Sequence, residues 1–369
     1  MVSILAIAVV GGIGALLATM LVLAERFISN YGDVEVVIND GEKKYTARGG
    51  TSLLESLRSE KIFIPSACGG RGTCAYCKVR VLDGGGPLLP TEEPYMDTRE
   101  REQGIRLSCQ VKVRNDIQME IPSELLSIRE YQCRCADITD FTYDIKQFTL
   151  KMFDPPTIAY KPGQYVQLFS PAYPGSSEEV YRAYSISSDP KDRSSIELIV
   201  RRVPGGIATT YLFDHLKTDE TVRLNGPYGE FYLRDTGAAI VFIAGGSGIA
   251  PIKCMLHHMV NTKNERTAVF FFGVRGDKDI FLFDRMKQFE DELPNFTFVP
   301  IVAQPDEGSQ WQGKTGNMIE VAADYLKKMQ KPQDCEGYLC GSPGLINAAV
   351  AMLTDLGIPR ERHFYDKFA

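Results

Sequence analysis

From Val2 to Ala24 the chain carries no charged residue and no proline. As a helix rising about 1.5 Å per residue, such a stretch reaches roughly 34 Å, enough to cross a bilayer core. No cationic start and no small-residue cleavage site accompany it, so residues 1–26 read as a retained transmembrane anchor helix rather than a secretion signal. Gly11, Gly12 and Gly14 suit close packing against another membrane helix. The span has no ionisable side chain and so no proton or ion path of its own. Arg26, Lys43 and Lys44 favour a cytoplasmic location for the rest of the chain.

After Asp33 the pattern becomes alternating. Val34–Ile38 and Lys43–Arg48 read as two strands around an Asn-Asp-Gly turn, and Thr51–Arg58 has hydroxyl caps and helical spacing. Lys78–Leu82 and Val111–Arg114 alternate as strands. These elements outline a small α+β domain over 33–126. Asp144–Phe153, Tyr165–Leu168 and Ile196–Arg201 are short strands separated by Pro/Gly turns, the signature of an antiparallel β-barrel, assigned to 129–234. From Ala239 the strands become apolar throughout: Ala239–Ile243, Ala268–Phe272, Phe296–Val302 and Gly337–Cys340 alternate with helical runs such as Pro251–Val260. That is the pattern of an α/β parallel sheet, assigned to 235–369. The expected architecture is therefore multidomain.

Composition narrows the function. A net charge of -6 and an absence of clustered basic residues argue against nucleic-acid binding. Nine cysteines need explaining, and four of them make a pattern. Cys68, Cys74 and Cys77 lie in one glycine-rich loop, and Cys109 comes at a distance. Three thiolates in a loop with a distant fourth is how [2Fe–2S] clusters are held. The loop glycines allow backbone N–H groups to approach an anionic cluster. A zinc knuckle would favour paired C-x2-C units, and a disulfide set would favour an oxidising compartment. Cys133, Cys135, Cys254 and Cys335 read as structural thiols. His257 and His258 fall on different helix faces and do not suggest a shared metal; His363 reads as a surface residue or a cofactor neighbour.

Further motifs point to nucleotides. Arg182-Ala-Tyr184-Ser185 offers a cation, an aromatic face and a hydroxyl, chemistry suited to a flavin. Gly205-Gly206-Ile-Ala-Thr209 opens a helix where backbone N–H groups could meet a pyrophosphate. Gly245-Gly246-Ser-Gly248-Ile-Ala-Pro251 joins an apolar strand to a helix, and Cys340-Gly341-Ser342-Pro343 supplies a second turn at the carboxyl end of the same sheet, where ligands of α/β folds bind.

Taken together, these motifs resemble the ferredoxin–NADP reductase superfamily, whose R-x-Y-S/T, G-x-x-S/T, G-G-x-G-x-x-P and C-G-x-P signatures appear here in order. With an apolar segment and a β-grasp ferredoxin domain ahead of them, the chain is similar to the family of F subunits of Na+-translocating NADH:quinone oxidoreductases. Trp311–Gly316, Asp334–Pro343 and the terminal Asp366-Lys-Phe368 support that likeness. The resemblance implies Arg182 and Thr209 on the phosphates of FAD, Tyr184 and Ser185 at its ring, and Cys340 near the nicotinamide of NADH. It implies Phe368 over the flavin face and Gly206, Gly245, Gly246, Gly248, Pro251 and Gly341 in the binding turns. It also implies an inner-membrane location, with hydrophobic subunits of a respiratory complex as partners and quinone reached through them. Two other readings fit the same motifs: a reductase component of a multicomponent oxygenase, and a non-enzymatic tethered electron carrier.

Overall fold

The computed structural model describes residues 10–20, 31–66 and 68–368. Residues 10–20 are helical and exposed, with Val10, Ile13, Leu16, Leu17 and Met20 all turned to solvent. Among the described residues no helix is long and apolar enough to cross a membrane. Most of the expected anchor over 1–26 lies outside the described residues. The chain divides into two compact units, Met1–Ile128 and Arg129–Ala369.

In the first unit, five strands form a mixed sheet in the order β2-β1-β5-β3-β4. They are β1 (Asp33–Ile38), β2 (Lys43–Arg48), β3 (Lys78–Asp83), β4 (Ile105–Leu107) and β5 (Ile117–Glu120). Helix α1 (Leu53–Ser59) is capped by Ser52, whose Oγ accepts the Glu55 N–H at 3.2 Å. Leu53, Leu54 and Leu57 of α1 join Val36, Ile38, Val79 and Leu107 of the sheet in one apolar core. Val111–Arg114 is not a full strand, although its alternation is real. Val111 and Val113 are buried, but their backbone pairs with Thr51 and Leu53 at the helix entrance rather than along the sheet. The ladder place is taken by β5, whose pairing with β1 is parallel.

The second unit begins with six antiparallel strands in the order β10-β7-β6-β11-β8-β9. These are β6 (Arg129–Asp140), β7 (Ile145–Asp154), β8 (Tyr165–Ser170), β9 (Val180–Ser185), β10 (Ser195–Arg201) and β11 (Thr221–Tyr228). The two edge strands meet, because an antiparallel bridge joins Ile186, just past β9, to Leu198 in β10. The Ser187 N–H also donates to the Glu197 carbonyl at 2.8 Å. The sheet thus closes into the expected barrel around Phe148, Leu150, Val166, Leu168 and Leu224. β6 has no counterpart among the expected strands; it alternates Tyr131, Cys133 and Cys135 inward against charged or polar outward neighbours.

A parallel sheet completes the unit, in the order β15-β14-β13-β12-β16-β17. Its strands are β12 (Ile240–Gly245), β13 (Ala268–Val274), β14 (Phe296–Val302), β15 (Lys314–Thr315), β16 (Glu336–Gly341) and β17 (His363–Lys367). Helices α2 (Ile249–Asn261), α3 (Phe283–Glu292), α4 (Met318–Leu326) and α5 (Pro343–Asp355) connect or flank them. Phe242, Phe270 and Phe272 face one apolar layer; Val241, Ile243, Phe271 and Leu339 face the other. Burial on both faces is why these strands read as continuous apolar runs. The first layer also takes in Ile145, Ile199 and Phe231, so barrel and parallel sheet share a core.

Candidate functional site

The cysteine loop runs from the end of an extended segment into β3. Gly69, Gly70, Gly72 and Ala75 all have positive φ, between 60° and 88°. At Gly72 a Cβ would stand 2.7 Å from the Gln110 side chain, so bulk is excluded as well as conformation. The Ser66 hydroxyl, fully buried, accepts the Gly70 N–H at 3.0 Å and pins the turn.

The four thiols meet in two pairs. Cys74 hydrogen-bonds Cys68 and so favours the Cys68 thiolate, while Cys74 itself is pushed up. Cys77 hydrogen-bonds Cys109 with the same outcome, Cys109 held low and Cys77 raised. Backbone N–H groups of Gly72, Thr73, Cys74 and Tyr76 also reach these sulfurs. Gln110 Nε2 lies 3.6 Å from Cys109 Sγ. Among the described residues no three or more His, Cys, Asp or Glu converge to hold a metal ion. Two thiol pairs ringed by N–H donors fit a dinuclear cluster, with two thiolates per iron, better than a mononuclear zinc site.

A buried ion pair holds β4, the strand that leads into the fourth cysteine's turn. Arg106, on β4, donates through Nη2 to Glu92 at 2.7 Å, and the two side chains are 8% and 0% exposed. The remaining Arg106 donors reach the carbonyls of Gly85, Gly86 and Pro87, and Glu92 also accepts from Leu89 and Leu107 N–H. Every polar group of the pair is thus engaged three residues from Cys109. Nothing in the local sequence pattern marks Glu92 as its partner.

In the second unit the predicted residues gather from separate segments. Arg182, Tyr184 and Ser185 all lie on β9. Arg182 Nη1 donates to the Tyr181 carbonyl at 2.8 Å, and burial pushes the Tyr184 hydroxyl up, partly offset by the Arg182 charge. Gly206 caps the short helix Ile207–Thr210. Thr209 is buried there with its hydroxyl on the backbone of Val203 and Gly206, which rigidifies the turn.

Gly245, Gly246 and Gly248 form the bend between β12 and α2, and Pro251 lies in the first turn of the helix. A Cβ on Gly248 would stand 2.4 Å from the Cys340 carbonyl oxygen, so the two carboxyl-end turns touch backbone to backbone. Cys340 and Gly341 end β16, and β17 pairs Cys340 with Asp366 and Gly341 with Lys367. The Phe368 N–H then donates to the Gly341 carbonyl at 2.9 Å, and the Phe368 ring packs on the shared core.

One contact joins the flavin-motif strand to this edge: Ser185 Oγ donates to Asp366 Oδ2 at 3.3 Å. Burial pushes the Asp366 carboxyl up to about 6, against the smaller opposing effect of Ser185. The Cys340 thiol is fully buried and raised well above its usual range by burial, then by Asp366. In the sequence Asp366 stands out only as part of a terminal motif, with no role of its own. His363 corrects the surface reading: on β17 it is buried, and burial lowers its imidazole. Cys133, Cys135, Cys254 and Cys335 are all buried and raised first by burial, as inert core thiols should be.

Comparison with known proteins keeps the same order along the chain. Residues 36–114 match a 2Fe-2S iron-sulfur cluster binding domain, 132–232 an oxidoreductase FAD-binding domain and 242–351 an oxidoreductase NAD-binding domain. The chain therefore carries a [2Fe-2S] cluster, FAD and a nicotinamide nucleotide, and it is a flavin-dependent oxidoreductase. Among solved structures, an Amycolatopsis cytochrome P450 reductase is 27% identical with a TM-score of 0.71, covering 91% of this chain and 98% of its own. A ferredoxin reductase in carbazole 1,9a-dioxygenase shares the fold at a TM-score of 0.69 and 24% identity, over 92% of this chain and 99% of its own. Curated relatives are more alike in sequence. The F subunit of the Na(+)-translocating NADH-quinone reductase of Serratia proteamaculans is 33% identical over 99% of both chains. The Marinomonas sp. protein of that name is 34% identical over 96% of this chain and 95% of its own. With this identity along its whole length, the chain belongs to the family of Na(+)-translocating NADH-quinone reductase F subunits.

Proposed function

We propose that the chain is the electron-input subunit of a membrane-bound Na+-translocating NADH:quinone oxidoreductase, taking electrons from NADH and delivering them to a membrane partner. The observation that carries this reading is full-length kinship to the F subunits, combined with the meeting of Ser185, Asp366 and Cys340 where the flavin-motif strand reaches the carboxyl end of the parallel sheet. When bound, the flavin supplies conversion of a two-electron hydride into single electrons, and the cluster supplies one-electron transfer.

The chain's own residues position and tune. Gly245, Gly246 and Gly248 bring bare backbone and the start of α2 to the nucleotide phosphates. Arg182 balances phosphate charge, Gly206 and Thr209 shape the pyrophosphate turn, and Tyr184 offers a ring face. Ser185 holds a proton next to Asp366, whose raised pKa lets it keep or release one near neutral pH. Cys340, too buried to ionise, presents a neutral thiol toward the nicotinamide, with Gly341 leaving room beside it. Phe368 covers the site and must yield when the nicotinamide enters. Cys68, Cys74, Cys77 and Cys109 hold the two irons.

We divide the chain at 33–126, 129–234 and 235–369; the order and spans of the three matched domains support these limits, while barrel and parallel sheet share one apolar layer. The anchor over 1–26 would place the protein in the inner membrane as a single-pass subunit, with the redox domains cytoplasmic. A purification from native membranes tests the whole reading. Hydrophobic subunits should travel with the chain, and quinone reduction by NADH should depend on them; isolation of the chain alone, with full turnover toward a soluble oxygenase, would replace this reading by the reductase-component one. That second reading draws support from the 27% identity to the P450 reductase.

A further inference from the structure

Barrel and parallel sheet adhere through an apolar layer, which is non-directional, yet polar contacts cross the same boundary, and besides Ser185–Asp366 one of them is an ion pair made by a buried lysine. Lys253, in α2, is 7% exposed at its side chain and extends into the barrel seam. Its Nζ donates to Glu197 Oε2 at 2.5 Å and to the Ser187 carbonyl at 3.2 Å. Ser187 and Glu197 flank the Ile186–Leu198 bridge, and Ser187 N–H and Oγ both donate to the Glu197 carbonyl. One ammonium therefore ties both strands of the closure together and fastens them to α2.

Its place in the chain matters more than its strength. α2 begins at the glycine bend, and Lys253 lies five residues after Gly248, roughly 7–8 Å along a stiff helix. On the other side, Ser187 is two residues from Ser185. This ammonium therefore links the helix that starts at the nicotinamide turn to the flavin-motif strand, in parallel with the Ser185–Asp366 contact at the other turn. Two helical turns further on, Asn261 Nδ2 donates to Asp189 Oδ1 at 2.6 Å, a second anchor that resists rotation of α2 on the barrel. His257 lies between them, 3.8 Å from Asp189, and burial pushes it down to about 4, so it adds no ion pair at neutral pH. A buried ion pair is weakly stabilising at best against an apolar pair of the same volume, so adhesion alone does not account for Lys253. Direction and distance do.

We infer that Lys253 and Glu197 are positioning residues for hydride transfer: they set the separation of the nicotinamide turn from the flavin strand, without touching either ligand. This rests on the reading that NADH reduces a flavin held at β9. The test uses the full chain with bound FAD, mixed with NADH without oxygen, and monitors bleaching of flavin absorbance. Lys253→Met keeps the aliphatic stem, and Glu197→Gln keeps the shape. Each should lower the limiting rate of bleaching about tenfold or more, since misplacement of about an ångström can cost a hundredfold. The NADH concentration at half-saturation should stay within about twofold, and FAD content should match the parent. The double variant should be no slower than the slower single one, and Lys253→Arg should recover part of the rate.

Unchanged bleaching rates in both single variants overturn the inference. Loss of FAD from both variants also overturns it, since the pair would then merely hold the barrel together. If Lys253→Met fails to fold, Glu197→Gln and Lys253→Arg decide the matter by the same criteria. Absence of bleaching in the parent chain refutes the underlying reading instead, and is recognised by its independence of either variant.

Discussion

The cysteine loop and the flavin–nicotinamide site are built on opposite plans. Three of the four cluster thiols lie within ten residues, in a backbone bent by positive-φ glycines, and the fourth follows a short strand fixed by one buried ion pair. The second site draws on β9, the Gly206 turn, the β12–α2 bend, the end of β16 and the terminal strand β17, spread over more than half the chain. A local site depends on conformation of a few residues. A dispersed one depends on the packing that brings distant segments together, and its errors are graded.

Experiments can sharpen or break that contrast. The largest effect belongs to Cys74→Ala, which should abolish the cluster's visible absorbance and reduction of a one-electron acceptor while NADH still bleaches the flavin; unchanged acceptor reduction would refute the cluster assignment. Arg106→Met comes next. It strands Glu92 as a buried charge and should destabilise the first unit by about 3–5 kcal/mol, measured by denaturant unfolding. A variant as stable as the parent would mean that the loop does not rely on the pair.

Gly248→Ala puts a methyl against the Cys340 carbonyl and should cost about 1–3 kcal/mol in thermal unfolding of the second unit, together with a raised NADH half-saturation. The smallest effect is that of Asp366→Asn. A folded pKa of about 6, above the ordinary 3.8, means the folded chain binds that proton more tightly. The stability it contributes is complete below about pH 4 and is lost as pH rises through about 6. Asp366→Asn should therefore lose this part of the pH dependence over that window and, allowing for partial exposure, be about 1–2 kcal/mol more stable than the parent at pH 7.5. Parallel melting curves for the two flavin-free chains between pH 4 and 8 would contradict this.

The contrast also explains which features are legible in the sequence. The cysteine loop is readable because ligand spacing and glycine chemistry lie side by side, and the parallel sheet because burial on both faces leaves unbroken apolar runs. β6 escapes notice although Tyr131, Cys133 and Cys135 alternate, since charged neighbours and cysteines obscure the period. Val111–Arg114 misleads because alternation reports burial, not which backbone pairs with which. The Ser185–Asp366 contact and the Lys253 clamp join residues far apart in the chain, and no local pattern encodes such meetings.

The three sheets share a consequence for how the protein can meet others. The barrel closes its own edges through Ile186 and Leu198. The first sheet ends in β2, rich in lysine and arginine, and in β4, only three residues long. The parallel sheet ends in the two-residue β15 and in the five-residue β17, which carries Lys367. Short, charged or closed edges give a foreign strand little backbone to pair with, so they guard against edge-to-edge aggregation. Among the described residues, then, recognition by a partner falls to side chains on the faces and loops rather than to strand addition.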